Sequence, residues 1–265
     1  MIESIVSLSL IGLIFGAVLA FASIKFAVEE DPKVVAVKDV VPGANCGACG
    51  LAGCSAFAEA VVAGEVDVSA CIPGGADCCA EIAEILGKPK PDMDVSYVAQ
   101  VNCAGFGEKS TDSFVYDGIP TCEAANSFFG GFKDCQYGCL GLGTCALVCP
   151  FDAVTMENGK PIIDPELCKG CGKCKDDCPR GLISIVAYNP QAYAVLCNSK
   201  DKGKQTKAYC EIGCIGCGAC AKACEVDAIE MQKGKLATID PEKCTACGNC
   251  LEKCKRDCIA LPFKN

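Results

Sequence analysis

The residues with chemistry to offer are cysteines, 27 of 265, and the chain has no histidine or tryptophan. They come in runs. Cys168, Cys171, Cys174 and Cys178, followed by Pro179, have the C-x2-C-x2-C-x3-C-P spacing by which short thiolate runs hold [4Fe–4S] clusters. Where two clusters share one fold, three cysteines of a run grip one cluster and the fourth ligates the other, so one run predicts a partner run. Disulfide scaffolds are usually short and secreted, and an odd cysteine count leaves a thiol unpaired. Structural zinc also takes four thiolates, but as separate C-x2-C knuckles that do not run on into a third and fourth cysteine. Without histidine there is no Rieske centre, His-ligated haem or imidazole acid–base catalysis. Residues 105–110 lack the spacing of a phosphate loop, and no dinucleotide fingerprint or catalytic residue stands out. The expected work is moving electrons.

The elements that must place these thiolates are repeated. Cys135, Cys139, Leu142, Cys145 and Cys149 align with Cys210, Cys214, Cys217, Cys220 and Cys224 at an offset of 75, and Ile163 and Cys168 align with Ile239 and Cys244 at 76. Each copy reads as a thiolate run, a small helix, a hairpin, a second run and a second small helix. That is the α+β plan of a bacterial-type two-cluster ferredoxin, in tandem. Crossing the fourth cysteines assigns Cys214, Cys217, Cys220 and Cys254 to one cluster, and Cys244, Cys247, Cys250 and Cys224 to its neighbour. In the first copy Cys168, Cys171, Cys174 and Cys149 form a set. The remaining set has Cys139, Cys145 and Cys178, but Leu142 stands in a ligand position and cannot bind iron. Cys135 is the expected substitute, with a three-ligand [3Fe–4S] centre as the open alternative. Proline follows Cys149 and Cys178 but not Cys224 or Cys254, so it is not needed for ligation.

Upstream, Cys46, Cys49 and Cys54 with the distant Cys71 make a further set, and glycines 47, 50 and 53 let the backbone wrap an inorganic core. Residues 55–63 are expected to form a short helix that brings Cys71 back. Helical residues 76–86 end at Gly87, and a strand-like stretch over 95–101 delivers Cys103. These five clusters use 20 cysteines. Cys103, Cys122, Cys197 and Cys210 are expected to hold a sixth between the two copies, the alternative being free or structural thiols. Cys78, Cys79 and Cys258 stay unassigned.

Residues 4–24 carry no charge over 21 positions, enough for a helix that spans a bilayer. The only charged side chain before them is Glu3, so the basic start of a signal peptide is missing and an uncleaved anchor is expected. Lys25, Lys33 and Lys38 flank the C-terminal side and place the bulk of the chain in the cytoplasm, where thiolates stay reduced. Gly12, Gly16 and Ala20 form a small-residue stripe that would let another membrane helix approach. A net charge of −9 argues against a nucleic-acid partner.

A membrane helix, then Cys46-Gly-Ala-Cys49-Gly-Leu-Ala-Gly-Cys54 with Cys71, then ferredoxin modules opening on Cys135-Gln-Tyr-Gly-Cys139-Leu-Gly-Leu-Gly-Thr-Cys145, resembles the B subunit of the Rnf complex over nearly the whole chain. The resemblance implies one component of an ion-pumping ferredoxin:NAD⁺ oxidoreductase. Such a component takes electrons from reduced ferredoxin and relays them to membrane and flavin/NAD-binding subunits. It leaves the pumped cation, Na⁺ or H⁺, undetermined. A free-standing membrane-anchored polyferredoxin is the alternative. The expected division is an anchor (1–28), a linker (29–41), a 4Fe-4S domain (42–94), a connecting Cys-bearing segment (95–134), ferredoxin module 1 (135–190), a second connecting segment (191–209) and ferredoxin module 2 (210–265).

Overall fold

The structure, a computed structural model, describes residues 2–26, 30–92, 95–232 and 236–263, with side chains from Leu8 onward. The expected boundaries at 28/29 and 94/95 fall beside residues outside that set. Helix α1, Ile2–Lys25, contains an apolar stretch from Leu8 to Lys25 long enough to cross a membrane, and none of it is buried in the protein.

Part of the expected linker is instead a helix, α2, Pro32–Val40. Asp31 caps it, its carboxylate accepting the Lys33 N–H at 2.8 Å, and Pro32 opens the first turn. Its charges masked Val34 and Val37, which lie on one face and are buried against α3, Cys54–Ala63, and α4, Gly75–Leu86. Phe57, Val61 and Ile82 complete this small core. Helix α4 stops at Gly87, whose left-handed φ of 65° closes the last turn.

The two ferredoxin modules follow the same plan. The first contains β1, Tyr97–Val101; α5, Cys122–Ser127; α6, Thr144–Leu147; β2, Val154–Glu157; β3, Lys160–Ile163; α7, Lys173–Asp176; and β4, Ile183–Ala187. The second contains β5, Ala194–Val195; α8, Gly203–Tyr209; α9, Ala219–Lys222; β6, Ile229–Gln232; β7, Leu236–Ile239; α10, Asn249–Lys253; and β8, Ile259–Ala260. In each, the first strand pairs antiparallel with the last: Tyr97 opposite Ala187, and Ala194 opposite Ala260. A hairpin lies between them, β2–β3 or β6–β7. The segments 95–134 and 191–209 are therefore not connectors. Each supplies the opening strand of its module, a role that no local pattern reveals because the partner strand lies far along the chain.

Each core is thiol-rich and short of large aliphatics. In the first, Ala99, Val154, Ile163, Leu182 and Ile183 pack with Cys174. In the second, Val195, Leu236 and Ile259 pack with Cys214, Cys220, Cys250 and Cys258. So little apolar bulk calls for a staple, which metal-bound thiolates supply. One arginine clamps each module from the same place, two residues after the last cysteine of its second run. Arg180 donates to the Gln136 and Gly130 carbonyls, and Arg256 to those of Cys210 and Gly213.

The loops after β1 and β5 clasp each other. The Ala104 N–H donates to Leu196 O at 3.0 Å, the Thr111 N–H to Tyr209 O at 2.9 Å, and the Glu211 N–H to Lys109 O at 2.9 Å. Asn189 adds a bond from Nδ2 to Pro241 O at 3.0 Å.

Candidate iron–sulfur sites

None of the 27 cysteines is joined to another in a disulfide. Among the described residues, no three Cys, Asp or Glu side chains close on one point as ligands of a single metal ion would. The thiols ring cavities instead, an arrangement suited to a polynuclear centre with an all-cysteine donor set.

Cys46, Cys49, Cys54 and Cys71 line one cavity. Asn45 Oδ1 accepts the Cys54 N–H at 2.8 Å and fixes the start of α3 behind the run. The chain folds back through two 3-10 turns, Val68–Ala70 and Ile72–Gly74, which set Cys71 against it. A Cβ on Gly74 would stand 2.6 Å from Cys78 Sγ and 3.2 Å from Cys71 Sγ, so only glycine fits there. The Cys78 thiol hydrogen-bonds to Cys71, which lowers the Cys71 pKa and raises that of Cys78.

Cys149, Cys168, Cys171 and Cys174 come together at α7. Burial pushes the Cys174 thiol up to about 12, with Cys168, Cys171, Cys145 and Cys149 adding to it. The Ala99 N–H of β1 donates to Cys168 Sγ at 3.3 Å, the kind of amide–sulfur bond that tunes such centres. Cys171 is also raised by burial first, with Cys46 among the charges that add to it.

The irregular set is where the structure departs from expectation. Cys139, Cys145 and Cys178 line a cavity whose fourth thiol is Cys122, not Cys135. Cys122 opens α5, and its N–H donates to Thr144 Oγ1 at 2.8 Å, pinning it to the start of α6. Burial raises the Cys145 thiol to about 11, and Cys122 and Cys178 are its next causes. Cys135 does not line that cavity: the Gly138 N–H bonds back to Cys135 O at 3.1 Å, and the thiol lines a different one.

There Cys135 meets Cys103, Cys197 and Cys210 around another cavity, between the modules. The expected bridging set therefore keeps Cys103, Cys197 and Cys210 but exchanges Cys122 for Cys135. The site is symmetric, each module giving one thiol just after its opening strand and one just before its first run. Burial raises Cys103, and raises Cys197 to about 11. The Cys139 N–H reaches Cys103 Sγ at 3.5 Å, and Cys197 receives backbone bonds from Ser199 and Cys214, so the site touches its neighbours on both sides.

Cys214, Cys217, Cys220 and Cys254 line a cavity of about 290 Å³ together with Cys258. The Cys258 thiol hydrogen-bonds to Cys214, which favours the Cys214 thiolate and disfavours its own. Cys244, Cys247 and Cys250 gather at α10, where burial raises Cys250 first, then the charges of Cys244 and Cys247. Cys224 is oriented by the Ala228 N–H at 3.3 Å, and Asn249 bonds its neighbour Glu225 at 3.4 Å.

One sequence signal could have separated Cys122 from Cys135. Cys135 has a counterpart at the constant offset, Cys210, which its own run does not need. A repeated thiol does a repeated job. Cys122 has no counterpart and sits in the copy that lost a ligand at Leu142.

An apolar helix, a four-thiol helical domain and two ferredoxin modules define an iron–sulfur electron-transfer protein with one potential membrane anchor. Family comparison agrees. Residues 41–73 match the FeS family of Fe-S cluster segments, 161–184 the 4Fe-4S binding domain and 213–258 the 4Fe-4S dicluster domain. The chain is 46% identical over 256 residues to the B subunit of the Na(+)-translocating ferredoxin:NAD(+) oxidoreductase complex of Acetobacterium woodii, covering 96% of this chain and 75% of that one. It is 44% identical over 244 residues to the B subunit of the proton-translocating ferredoxin:NAD(+) oxidoreductase complex of Clostridium ljungdahlii, covering 91% and 84%. It is 41% identical over 246 residues to the B subunit of the ion-translocating oxidoreductase complex of Methanosarcina acetivorans, covering 92% of each. The chain belongs to the family of B subunits of ion-translocating oxidoreductase (Rnf) complexes.

Proposed function

We propose that this chain takes electrons from reduced ferredoxin and passes them through six [4Fe–4S] sites in series to the membrane and flavin/NAD-binding subunits of a ferredoxin:NAD⁺ oxidoreductase. The ligand sets are Cys224, Cys244, Cys247 and Cys250; Cys214, Cys217, Cys220 and Cys254; Cys103, Cys135, Cys197 and Cys210; Cys122, Cys139, Cys145 and Cys178; Cys149, Cys168, Cys171 and Cys174; and Cys46, Cys49, Cys54 and Cys71. The clusters supply one-electron chemistry, while the residues hold them in line, exclude water and donate amide N–H groups to sulfur.

The observation that supports this reading is that sites neighbour one another through backbone–sulfur bonds and electrostatic contacts between their cysteines. Cys197 meets Cys214 by a backbone bond, Cys103 meets Cys139 at 3.5 Å, and Cys174 and Cys171 interact electrostatically with Cys145 and Cys46. Charge supports the direction. Residues 191–265 carry 12 Lys and Arg against 9 Asp and Glu, net +3, whereas residues 1–190 carry 12 against 24, net −12. Lys200, Lys202, Lys204 and Lys207 are exposed on and beside α8, next to the bridging site, and Lys253, Lys255 and Arg256 line the neighbouring cavity. An acidic carrier is steered to that end, and the other end leads through α2 to the membrane helix. The fold then stands on the cytoplasmic side of a single-pass anchor. The cation stays outside this chain's reach: two relatives of similar identity are named for Na⁺ and for protons.

Anaerobic iron and acid-labile sulfide analysis of the full chain tests the reading. Six sites give about 24 iron atoms per chain and five give about 20. Reduction by a reduced ferredoxin should slow with rising salt. A count near 20, or reduction indifferent to ionic strength, would remove the bridging site or the docking end respectively.

A further inference from the structure

We propose that Cys258 is a reserve ligand: a fifth thiol placed to take over the iron that Cys254 holds at the site of Cys214, Cys217 and Cys220. This rests on reading those four as ligands.

The position four residues after the last cysteine of a run is occupied four times in this chain, by Ala153, Leu182, Ala228 and Cys258. All four side chains are buried, at 1%, 2%, 3% and 3% exposure. In three cases an aliphatic group forms wall. In the fourth, a thiol stands in the same place, and it faces inward. Cys258 Sγ lies 3.5 Å from Cys254 Sγ, and Cys258 lines the same cavity as the four expected ligands. The unassigned thiols of the N-terminal domain make the contrast. Cys78 bonds to Cys71, and Cys79 donates to Cys71 O at 3.9 Å, but neither lines the cavity of that site.

The exchange is balanced and needs no oxidant. The bond from iron to Cys254 sulfur breaks and that sulfur takes up a proton. The Cys258 thiol releases a proton and its sulfur bonds the same iron, whose oxidation state is unchanged. Sulfurs 3.5 Å apart make the swap a side-chain movement without rebuilding the loop.

The test is metal content and EPR of the anaerobically purified full chain. Cys254→Ala should keep all four irons of its site with a changed reduced-state spectrum. Cys178→Ala, where Leu182 holds the matching position, should lose one iron and show the signal of an oxidised three-iron centre. Cys254→Ala/Cys258→Ala should lose at least that iron, and Cys178→Ala/Leu182→Cys should regain it. Cys258→Ala alone keeps full iron, since Ala is already the natural residue at 153 and 228. If Cys254→Ala loses iron just as Cys178→Ala does, or fails to fold while Cys178→Ala/Leu182→Cys does not regain its iron, the reserve role is overturned. If Cys214→Ala leaves iron and spectrum untouched, the ligand reading itself is what failed.

Discussion

The two ferredoxin modules share a plan and differ in one loop. From the cysteine after the opening strand to the cysteine before the first run is 13 positions in the second module, Cys197 to Cys210, and 32 in the first, Cys103 to Cys135. The first loop is thus 19 positions longer, and its extra length contains α5 with Cys122. The second module keeps a regular run through Cys217. The first has Leu142 at the matching position, and Cys122 from the insertion lines the cavity there. A thiol remote in sequence is thus brought to the wall of that cavity by a helix and one hydrogen bond. The shared thiols, Cys103 with Cys135 and Cys197 with Cys210, do not compensate anything. They line the cavity at the joint between the modules.

The largest effect should come from exchanging these roles. Cys122→Ala should convert or empty the site of Cys139, Cys145 and Cys178, whereas Cys135→Ala should leave it intact and empty the joint. Leu142→Cys in the Cys122→Ala background should restore the first. EPR with iron counting distinguishes the two, and a joint signal lost from Cys122→Ala would reverse the assignment. Next, charge reversal of Lys200, Lys202, Lys204 and Lys207 to Glu should slow reduction by ferredoxin about tenfold or more at low salt. Reversal of Lys169, Lys173 and Lys175 in the first module should do much less. Equal effects in stopped-flow would show that the second module is not the docking end.

Smaller effects probe the clamps. Arg180→Ala and Arg256→Ala each remove a charged donor from two carbonyls, worth about 1.5–3 kcal/mol. The Arg180 variant should release iron at lower denaturant because its partners Gly130 and Gln136 tie down the long insertion. Identical midpoints for the two variants would deny the insertion any special dependence. The smallest change expected is Tyr209→Phe in the second module's short loop. Tyr209 donates to Asp201 at 2.5 Å and meets Ser199 at 3.1 Å, and burial followed by the Asp201 bond raises its phenol. Its loss should cost about 1 kcal/mol, read as a small shift in the unfolding midpoint with the bridging-site spectrum unchanged.

Much of the molecule was legible because iron–sulfur ligation is local in sequence. Three thiols of a run lie within seven residues, so C-x2-C-x2-C spacing alone marks them, and the offset of 75 shows the repeat. The apolar stretch 4–24 likewise declares a helix by length and lack of charge. The ferredoxin plan and the apolar N-terminal helix needed nothing more.

What tertiary structure decided was everything that depends on where distant segments land. Helix α2 was hidden in a charged stretch because Val34 and Val37 become informative only beside α3 and α4. The strand-like stretch of β1 is legible locally, but that β1 and β5 open the modules is not, because their partners, β4 and β8, come from the far ends of the modules. Cys135 lies four residues from Cys139 along the chain, yet the two thiols line different cavities. Proximity along the chain fixes which thiols form a run. Which lone thiol completes it is set by the long-range packing of loops, and here α5 brought Cys122 across 17 residues to stand with Cys139.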